Sequence, residues 1–438
     1  MLPDTATQNV IQLGFAFFIN FLAFNTQGFI EEAVIDSASQ DGSINKHAGY
    51  YSLAIIYAFY TIGNLFAAPL VSILSPKWAM VLGTLFYAVF QVGFLFLNET
   101  YLYISSAILG IGASVLWTGQ GVYLSQNCTK ETTSRNSALL WGMHESCLIV
   151  GGIFLFIIFN VTESHGHISG FTIKLLYSIF FVLSILAAIV FAVLRKPAYE
   201  ENTQKSDEHW KTMLSTFKLI LTKRMILLAF VFSYTGIEQA FWTGIYPTAI
   251  SFTKKLGYST NSLLALNLIA TGVGQVTCGV LFGILGHRTK KVGRDFIILF
   301  GTIIHLIAYL LCFINYPHDA SLHQTSLSGA LIEPNLSISL FIGILLGFAD
   351  ACWNTQIMSL LCDVYNEKSS QAFAIFKFYE SLLSCFTFFY SSVISFYQLL
   401  LLLIIFAILA SACFFIVERI LPPRRKDTVA DIEEKSRC

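Results

Sequence analysis

Five charged side chains, Glu145, Glu238, Asp350, Lys377 and Glu380, stand in stretches of sequence that offer them no water. Each lies well inside an apolar run long enough, at about 20 residues, to cross a bilayer. A charge in the middle of such a run costs about 2.5 to 3.5 kcal/mol on an insertion scale, so each needs a reason to be there. Four carboxyls and one ammonium suit proton exchange, ion pairing, or the capture of a polar solute away from water. Helical spacing gives them neighbours: Trp141, His144 and Glu145 share one face, Asp350, Trp353 and Asn354 another, and Lys377, Glu380 and Ser381 a third.

A pattern used twice carries these residues. Trp117-x-x-Gln120 is echoed by Trp353-x-x-Gln356, and Glu145-Ser146 by Glu380-Ser381, with one residue of difference in loop length. Each copy is an apolar helix, a short polar connection, and a second helix that takes its carboxylate about nine residues, roughly 13 Å, into an apolar span. Composition agrees: 55% of residues are hydrophobic, 12% are charged, and Phe occurs 40 times, which excludes an ordinary soluble domain. With 26 basic and 26 acidic residues the formal net charge is zero, so no nucleic-acid partner is expected.

The sequence predicts an all-α membrane protein with twelve spans, near residues 10–30, 50–74, 78–97, 101–125, 136–159, 172–194, 225–250, 263–286, 296–315, 336–361, 371–393 and 397–417. Residues 1–194 and 225–417 form two six-helix bundles, 195–224 a cytosolic linker and 418–438 a cytosolic tail. In the linker, Trp210, Met213, Leu214, Phe217 and Leu221 recur at helical spacing opposite Lys211, Lys218 and Lys223. The stretch is an amphipathic helix, either lying on the inner leaflet or simply connecting the bundles.

The repeat extends beyond its first motifs. Gly63-Asn64 is matched by Gly274-Gln275, and Leu53 and Leu74 by Leu264 and Leu285, at constant offset. Parallel six-span halves resemble the architecture of the major facilitator superfamily. The loop Gly283-x-x-Gly286-His-Arg288-Thr-Lys-Lys-Val-Gly293-Arg294 resembles its glycine and basic signature, which Ser75-Pro-Lys-Trp after span two lacks. In that superfamily spans 3, 6, 9 and 12 are peripheral and the others line a central cavity. All five charges sit on spans 5, 7, 10 and 11, and most neutral polar residues follow: Asn20, Asn25, Gln27, Asn64, Gln120, Gln239, Asn267 and Gln275. Gln91 on span 3 and His305 on span 9 are exceptions.

The resemblance therefore implies a polar, hydrated cleft that gathers Glu145, Glu380, Asp350, Lys377, Glu238, His144, Trp117, Gln120, Trp353, Gln356, Asn64 and Gln275. Glu145 or Glu380 could there carry a proton through a transport cycle. Alternatively, Lys377 neutralises Asp350 or Glu380 and locks spans ten and eleven together with no ligand. Other features are bland. His165 and His167 lack a third ligand for a metal, Gly110, Gly112, Gly119 and Gly121 suit close helix approach, and Pro69 and Pro247 should kink their spans. No nucleotide loop, zinc motif or nucleophile triad occurs, so neither an enzyme nor a cofactor is expected.

Three further stretches, Gly49-Tyr-Tyr-Ser-Leu-Ala-Ile-Ile-Tyr57, Val115-Leu-Trp-Thr-Gly-Gln-Gly121 and Arg135-Asn-Ser-Ala-Leu-Leu-Trp141, resemble the Unc-ninety-three family of major facilitator proteins. The resemblance implies a multi-pass, glycosylated membrane protein. It leaves function open, because members include a regulatory subunit of potassium channels and a chaperone of innate immune receptors. Two functions follow. One is a secondary transporter, including a proton-coupled one, whose partners are the lipid bilayer, a small polar solute and a proton. The other is a non-transporting regulatory or trafficking subunit of another membrane protein. Plasma and endolysosomal membranes are equally compatible.

Of the 26 Lys and Arg, 21 fall on the side of the termini, four (Lys46, Lys174, Lys254, Lys255) on the other, and Lys377 inside a span. Both termini are therefore expected in the cytosol. The nine cysteines avoid exterior loops, so no disulfide framework is expected. The sequons at Asn98, Asn160 and Asn335 then lie outside, Asn98 in a very short loop, while Asn127 lies inside. Removing Asn160 and Asn335 together should abolish the glycosidase-sensitive gel shift, and changing Asn127 should leave it intact. A glycan on Asn127 would invert the topology.

Overall fold

The computed structural model describes residues 4–40, 44–45, 48–96, 98–162, 170–199, 209–257, 260–284, 293–391 and 393–420. Apolar runs in lipid must satisfy every backbone N–H and C=O internally, and the helix does so within one segment. The first half is built from α1 (Thr5–Gln40), α2 (Ala48–Gly93), α3 (Glu99–Ser125), α4 (Thr133–Thr162) and α5 (Gly170–Ala192). The short α6 (His209–Ile220) follows. The second half comprises α7 (Lys223–Ala240), which runs through a π turn (Phe241–Ile245) into α8 (Tyr246–Phe252), then α9 (Thr260–Ile284), α10 (Arg294–Asn315), α11 (Leu336–Val364), α12 (Ser369–Ser391) and α13 (Phe396–Ile420).

Among the described residues, eleven helical stretches are long and apolar enough to cross a membrane. One of them, α2, has 46 residues, about 69 Å at helical rise and more than twice a hydrocarbon core of about 30 Å. It breaks at Ser75 (φ 67°, ψ 154°), immediately before Pro76. A residue before proline is pushed out of the helical region, so spans two and three meet at a break and not at a loop. That makes twelve crossings. The π turn in span seven immediately precedes Pro247, whose missing N–H and ring disfavour a regular helix there.

The repeat is visible in packing. A side chain at Gly63 would strike Ser114 and Ile111 of α3, and one at Gly274 would strike the backbone of Ile344 and Phe348 of α11. The second helix of each half thus lies backbone-close to the fourth. Between the halves, α2 packs on α12 and α4 on α9, with further contact of α3 with α12 and α4 with α11. On the face that carries the termini the seam is closed by Gly121 against Phe373, by Asn366 Nδ2 donating to Ser125 Oγ (3.1 Å), and by Ser359 Oγ to Thr133 Oγ1 (3.4 Å). Towards the other face, Tyr57 packs on Phe388 with ring centroids 5.4 Å apart.

The start of the linker is clamped to the first half through Asn127. Its Oδ1 accepts from Asn9 Nδ2 (2.8 Å) and Ala198 N (3.0 Å), and its own Nδ2 donates to Tyr123 O (2.8 Å). Asn127 is fully buried, which is incompatible with a glycan. Asn335 caps α11 with its side chain exposed, and nothing is described of the Asn160 side chain. The amphipathic helix forms as α6, but its seat is the seam: it packs on α2 and α12, and Gln371 Nε2 donates to Ser215 Oγ (3.3 Å). Thr216 and Leu219 face the bundle, whereas Leu214, Phe217 and Leu221 are exposed. Of the basic loop, residues 285–292 lie outside the description, as do His165 and His167. Arg294 pairs with Glu418 (2.6 Å) and Asp363 (3.1 Å), tying α10 to α11 and α13.

On the opposite face the connection between α10 and α11 folds back over the second half. Thr253 and Thr325 form an isolated parallel bridge, and Lys255 pairs with Glu333 at 2.7 Å. The hydrogen bonds of Lys255 and Ser328 hold the exposed Glu333 carboxyl below its usual range.

Helix approach at Gly274 is testable by thermal denaturation of the purified protein. Gly274→Ala meets the carbonyl of Ile344, which cannot rotate away, and should cost about 1 to 3 kcal/mol. Gly283→Ala on the same helix meets nothing within 4 Å and should be neutral or slightly stabilising. Equal effects would sink the close-approach account.

Candidate functional site

Each repeated tryptophan packs on the first helix of its own half. Trp117 of α3 lies against Phe17 and Phe21 of α1, with ring centroids 5.4 and 5.2 Å away, and against His144 of α4 at 5.4 Å. Trp353 of α11 lies against Tyr234 of α7 at 4.8 Å. Gln120 and Gln356, one turn on, are buried. Gln356 Nε2 donates to Thr355 Oγ1 (3.2 Å), while Gln356 Oε1 and Gln120 Nε2 have no hydrogen-bond partner among the described residues.

Lys377 chooses Glu380 and not Asp350. Its Nζ donates to both carboxylate oxygens at 2.8 Å. The partners are three residues apart on one helix, so the pair does not lock spans ten and eleven together as expected. It reaches instead across the seam: Nζ stands 4.5 Å above the Trp117 ring and 4.4 Å from the Phe376 ring. Beside it, Thr61 Oγ1 of α2 donates to Ser381 Oγ (3.0 Å). Glu145 Oε1 lies 3.2 Å from His144 Nδ1, and among the described residues Glu145 Oε2 has no hydrogen-bond partner although the residue is buried.

Asp350 is held by amides. Gln275 Nε2 donates to Oδ2 (2.7 Å) and Asn354 Nδ2 to Oδ1 (2.8 Å), while Gln275 Oε1 accepts from Trp141 Nε1 (2.8 Å). A polar chain therefore runs from α11 through α9 to α4, from one half into the other. Its other end continues inward. Glu238 lies within electrostatic reach of Asp350, its Oε1 stands 3.2 Å from His305 Nε2, His305 Nδ1 lies 2.6 Å from Tyr234 Oη, and Tyr234 Oη lies 3.0 Å from Tyr309 Oη.

His305, an exception in the span pattern, is thus part of the polar interior. Its signal was present: Tyr234 with Glu238, and His305 with Tyr309, are both spaced i, i+4, so each pair shares a face. Glu31 lies past the expected end of span one, yet α1 continues and buries it, with Gln27 Nε2 donating to Oε2 (2.8 Å). Asn64 does not join the charged group; its amide donates to Tyr60 O (2.9 Å) and it lines a small void with Phe217 and Phe378 beneath α6. The expected hydrated cleft is closed in this conformation. Among the described residues the charged side chains are buried, and two small voids of about 10 and 0 Å³, beneath α6 and beside Phe241, are not lined by them, whereas one water needs about 10 to 15 Å³.

The pair Lys377–Glu380 can be tested by a double-mutant cycle. Lys377→Met strands a buried carboxylate and should cost about 3 to 5 kcal/mol, or most of the expression, and Lys377→Met with Glu380→Gln should recover much of it. Tolerance of Lys377→Met alone would refute the pairing.

Comparison with known proteins places this geometry. The profile of the family described as ion channel regulatory protein UNC-93 matches residues 40–415. UNC93-like protein MFSD11 of Xenopus laevis is 32% identical over 408 residues, covering 88% of this chain and 90% of the relative. Protein unc-93 homolog A of Homo sapiens is 24% identical over 430 residues, covering 89% and 88%. Among solved structures, the major facilitator transporter FucP in the outward conformation superposes with a TM-score of 0.64 at 16% identity, over 95% of this chain and 98% of that one. The human organic anion transporter MFSD10 gives 0.62 at 12% identity, over 95% and 100%. The two structures show the fold alone, and the profile match and the MFSD11 relative show the family: this chain belongs to the UNC-93 family and has the major facilitator fold.

Proposed function

We propose that the protein is a proton-coupled secondary transporter of a small polar solute, with Glu238 and Asp350 as the coupling pair. The observation that carries the reading is the hydrogen-bonded chain Asp350–Gln275–Trp141, with the buried Glu238 within electrostatic reach of Asp350. Two neighbouring carboxyls without a cation repel when both are charged, so a proton on the pair changes its energy steeply in a dry interior. Asp350 also accepts the hydrogen bond that orients Gln275, and Gln275 accepts from Trp141 in the other half. A change of charge at Asp350 therefore acts directly on a contact between the halves, which is what alternating access requires. His305, Tyr234, Asn354 and Gln275 surround the pair, and Glu145 lies within electrostatic reach of Asp350. Glu380 suits coupling less well, because Lys377 already neutralises it.

A second reading, a non-transporting regulatory or trafficking subunit, is favoured by the family's description as ion channel regulatory protein. Both readings place the termini in the cytosol and glycans on the opposite side. Proteoliposomes under an imposed pH gradient separate them. Glu238→Gln and Asp350→Asn should each reduce gradient-driven solute uptake by about tenfold or more, while exchange of preloaded solute without a gradient persists. Uptake that both variants leave unchanged would remove the pair from the coupling step. A wild type that moves no solute across a broad library, yet binds and traffics a channel, would favour the regulator.

A further inference from the structure

Among the described residues, and apart from Arg294 with its own carboxylate partners, the buried carboxyls of Glu31, Glu145, Glu238, Asp350 and Glu380 stand against the ammonium of Lys377. This excess alone defines no ligand. The surroundings of Lys377 Nζ do. Two carboxylate oxygens of Glu380 at 2.8 Å and the faces of Trp117 and Phe376 at 4.5 and 4.4 Å enclose it. A compact hard metal ion asks for six or more oxygen ligands, whereas an ammonium with an apolar body is satisfied by a carboxylate and aromatic faces. Phe17, Phe21 and His144 pack around Trp117 and fix its orientation.

The elements of this cage belong to different halves. Trp117, His144 and Glu145 sit on α3 and α4, while Lys377 and Glu380 travel together on α12. When the halves separate, Lys377 leaves the Trp117 face with its own counter-ion. What stays behind is an aromatic face and, across the His144 ring that packs on it at 5.4 Å, the buried carboxyl of Glu145, whose Oε1 lies 3.2 Å from His144 Nδ1 and whose Oε2 has no hydrogen-bond partner among the described residues. We propose that Trp117 and Glu145 form a binding site for a small organic cation, and that Lys377 is a tethered ammonium that occupies the Trp117 face when the halves close. The solute is then a primary or substituted ammonium with a short apolar body. This rests on the transport reading for its cargo, but binding is measurable without transport.

The probes are n-butylammonium, butyrate and n-butanol, matched in size, titrated calorimetrically into the purified full chain. Wild type should bind n-butylammonium and neither of the others. Lys377→Met, freed of its competitor, should bind it about tenfold more tightly. Glu145→Gln should lose binding, and Trp117→Phe should weaken it by about threefold or more, since Phe offers a poorer cation face. If Lys377→Met cannot be purified, the comparison of wild type with Trp117→Phe and Glu145→Gln decides. Preferential binding of butyrate, or n-butylammonium binding that ignores Trp117 and Glu145, overturns the site. The two readings fail separately. Gradient-driven uptake of an anionic solute would defeat the ammonium site and leave the transporter, whereas calorimetric binding without any uptake would leave the site and defeat transport.

Discussion

Everything in this molecule depends on how a buried carboxylate is compensated where water cannot reach it. The cost of an isolated charge in such surroundings runs to several kcal/mol, and the chain meets it in three different ways. Glu380 takes an ammonium from its own helix, Asp350 takes two amide donors from α9 and α11, and Glu238 lies 3.2 Å from the His305 imidazole. Only the second solution reaches across the seam through hydrogen bonds, by way of Gln275 and Trp141. That makes Asp350 the residue whose charge state the arrangement of the halves can sense.

The halves are alike in backbone and unlike in chemistry. Paired glycines bring the second and fourth helices together in both, and the repeated tryptophans rest on the first helix of each. The first half surrounds its tryptophan with Phe17, Phe21 and His144, leaving a carboxyl beside an aromatic wall. The second packs its tryptophan on Tyr234, which leads by short polar contacts through His305 to Glu238. Such a division suits a carrier in which one half presents a face to cargo and the other handles the coupling ion. Pseudo-symmetry supplies the scaffold, and the differences supply the function.

The connection between the halves is more than a tether. Asn127, itself bonded to Asn9 and Tyr123 of the first half, accepts from Ala198 N at the start of the linker, and α6 lies over α2 and α12. Its Thr216 and Leu219 face the seam, and Leu214 and Phe217 are turned outward. Any motion that parts α2 from α12 must carry α6 with one partner or the other. The linker therefore adds to the seam that transport would open.

Span count, the duplicated halves and the identity of the charged interior were legible in the sequence, because each rests on local composition and on a spacing repeated along the chain. An apolar run of about 20 residues has one stable solution in a bilayer, and a charge inside it announces itself. Partnership was not legible. Lys377 could have reached Asp350 or Glu380, and only the helix phase of α12 against α3 turns it to Glu380 and the Trp117 face. His305 stood on a span expected to be peripheral, Glu31 beyond an expected helix end, and Asn64 in the expected cleft. Their places follow from how far each helix rotates and extends when it packs, a property of pairs of helices that no single stretch of sequence contains. The closed seam is likewise a property of the assembled halves: the sequence determined which groups must avoid lipid, and the tertiary structure decided which of them touch.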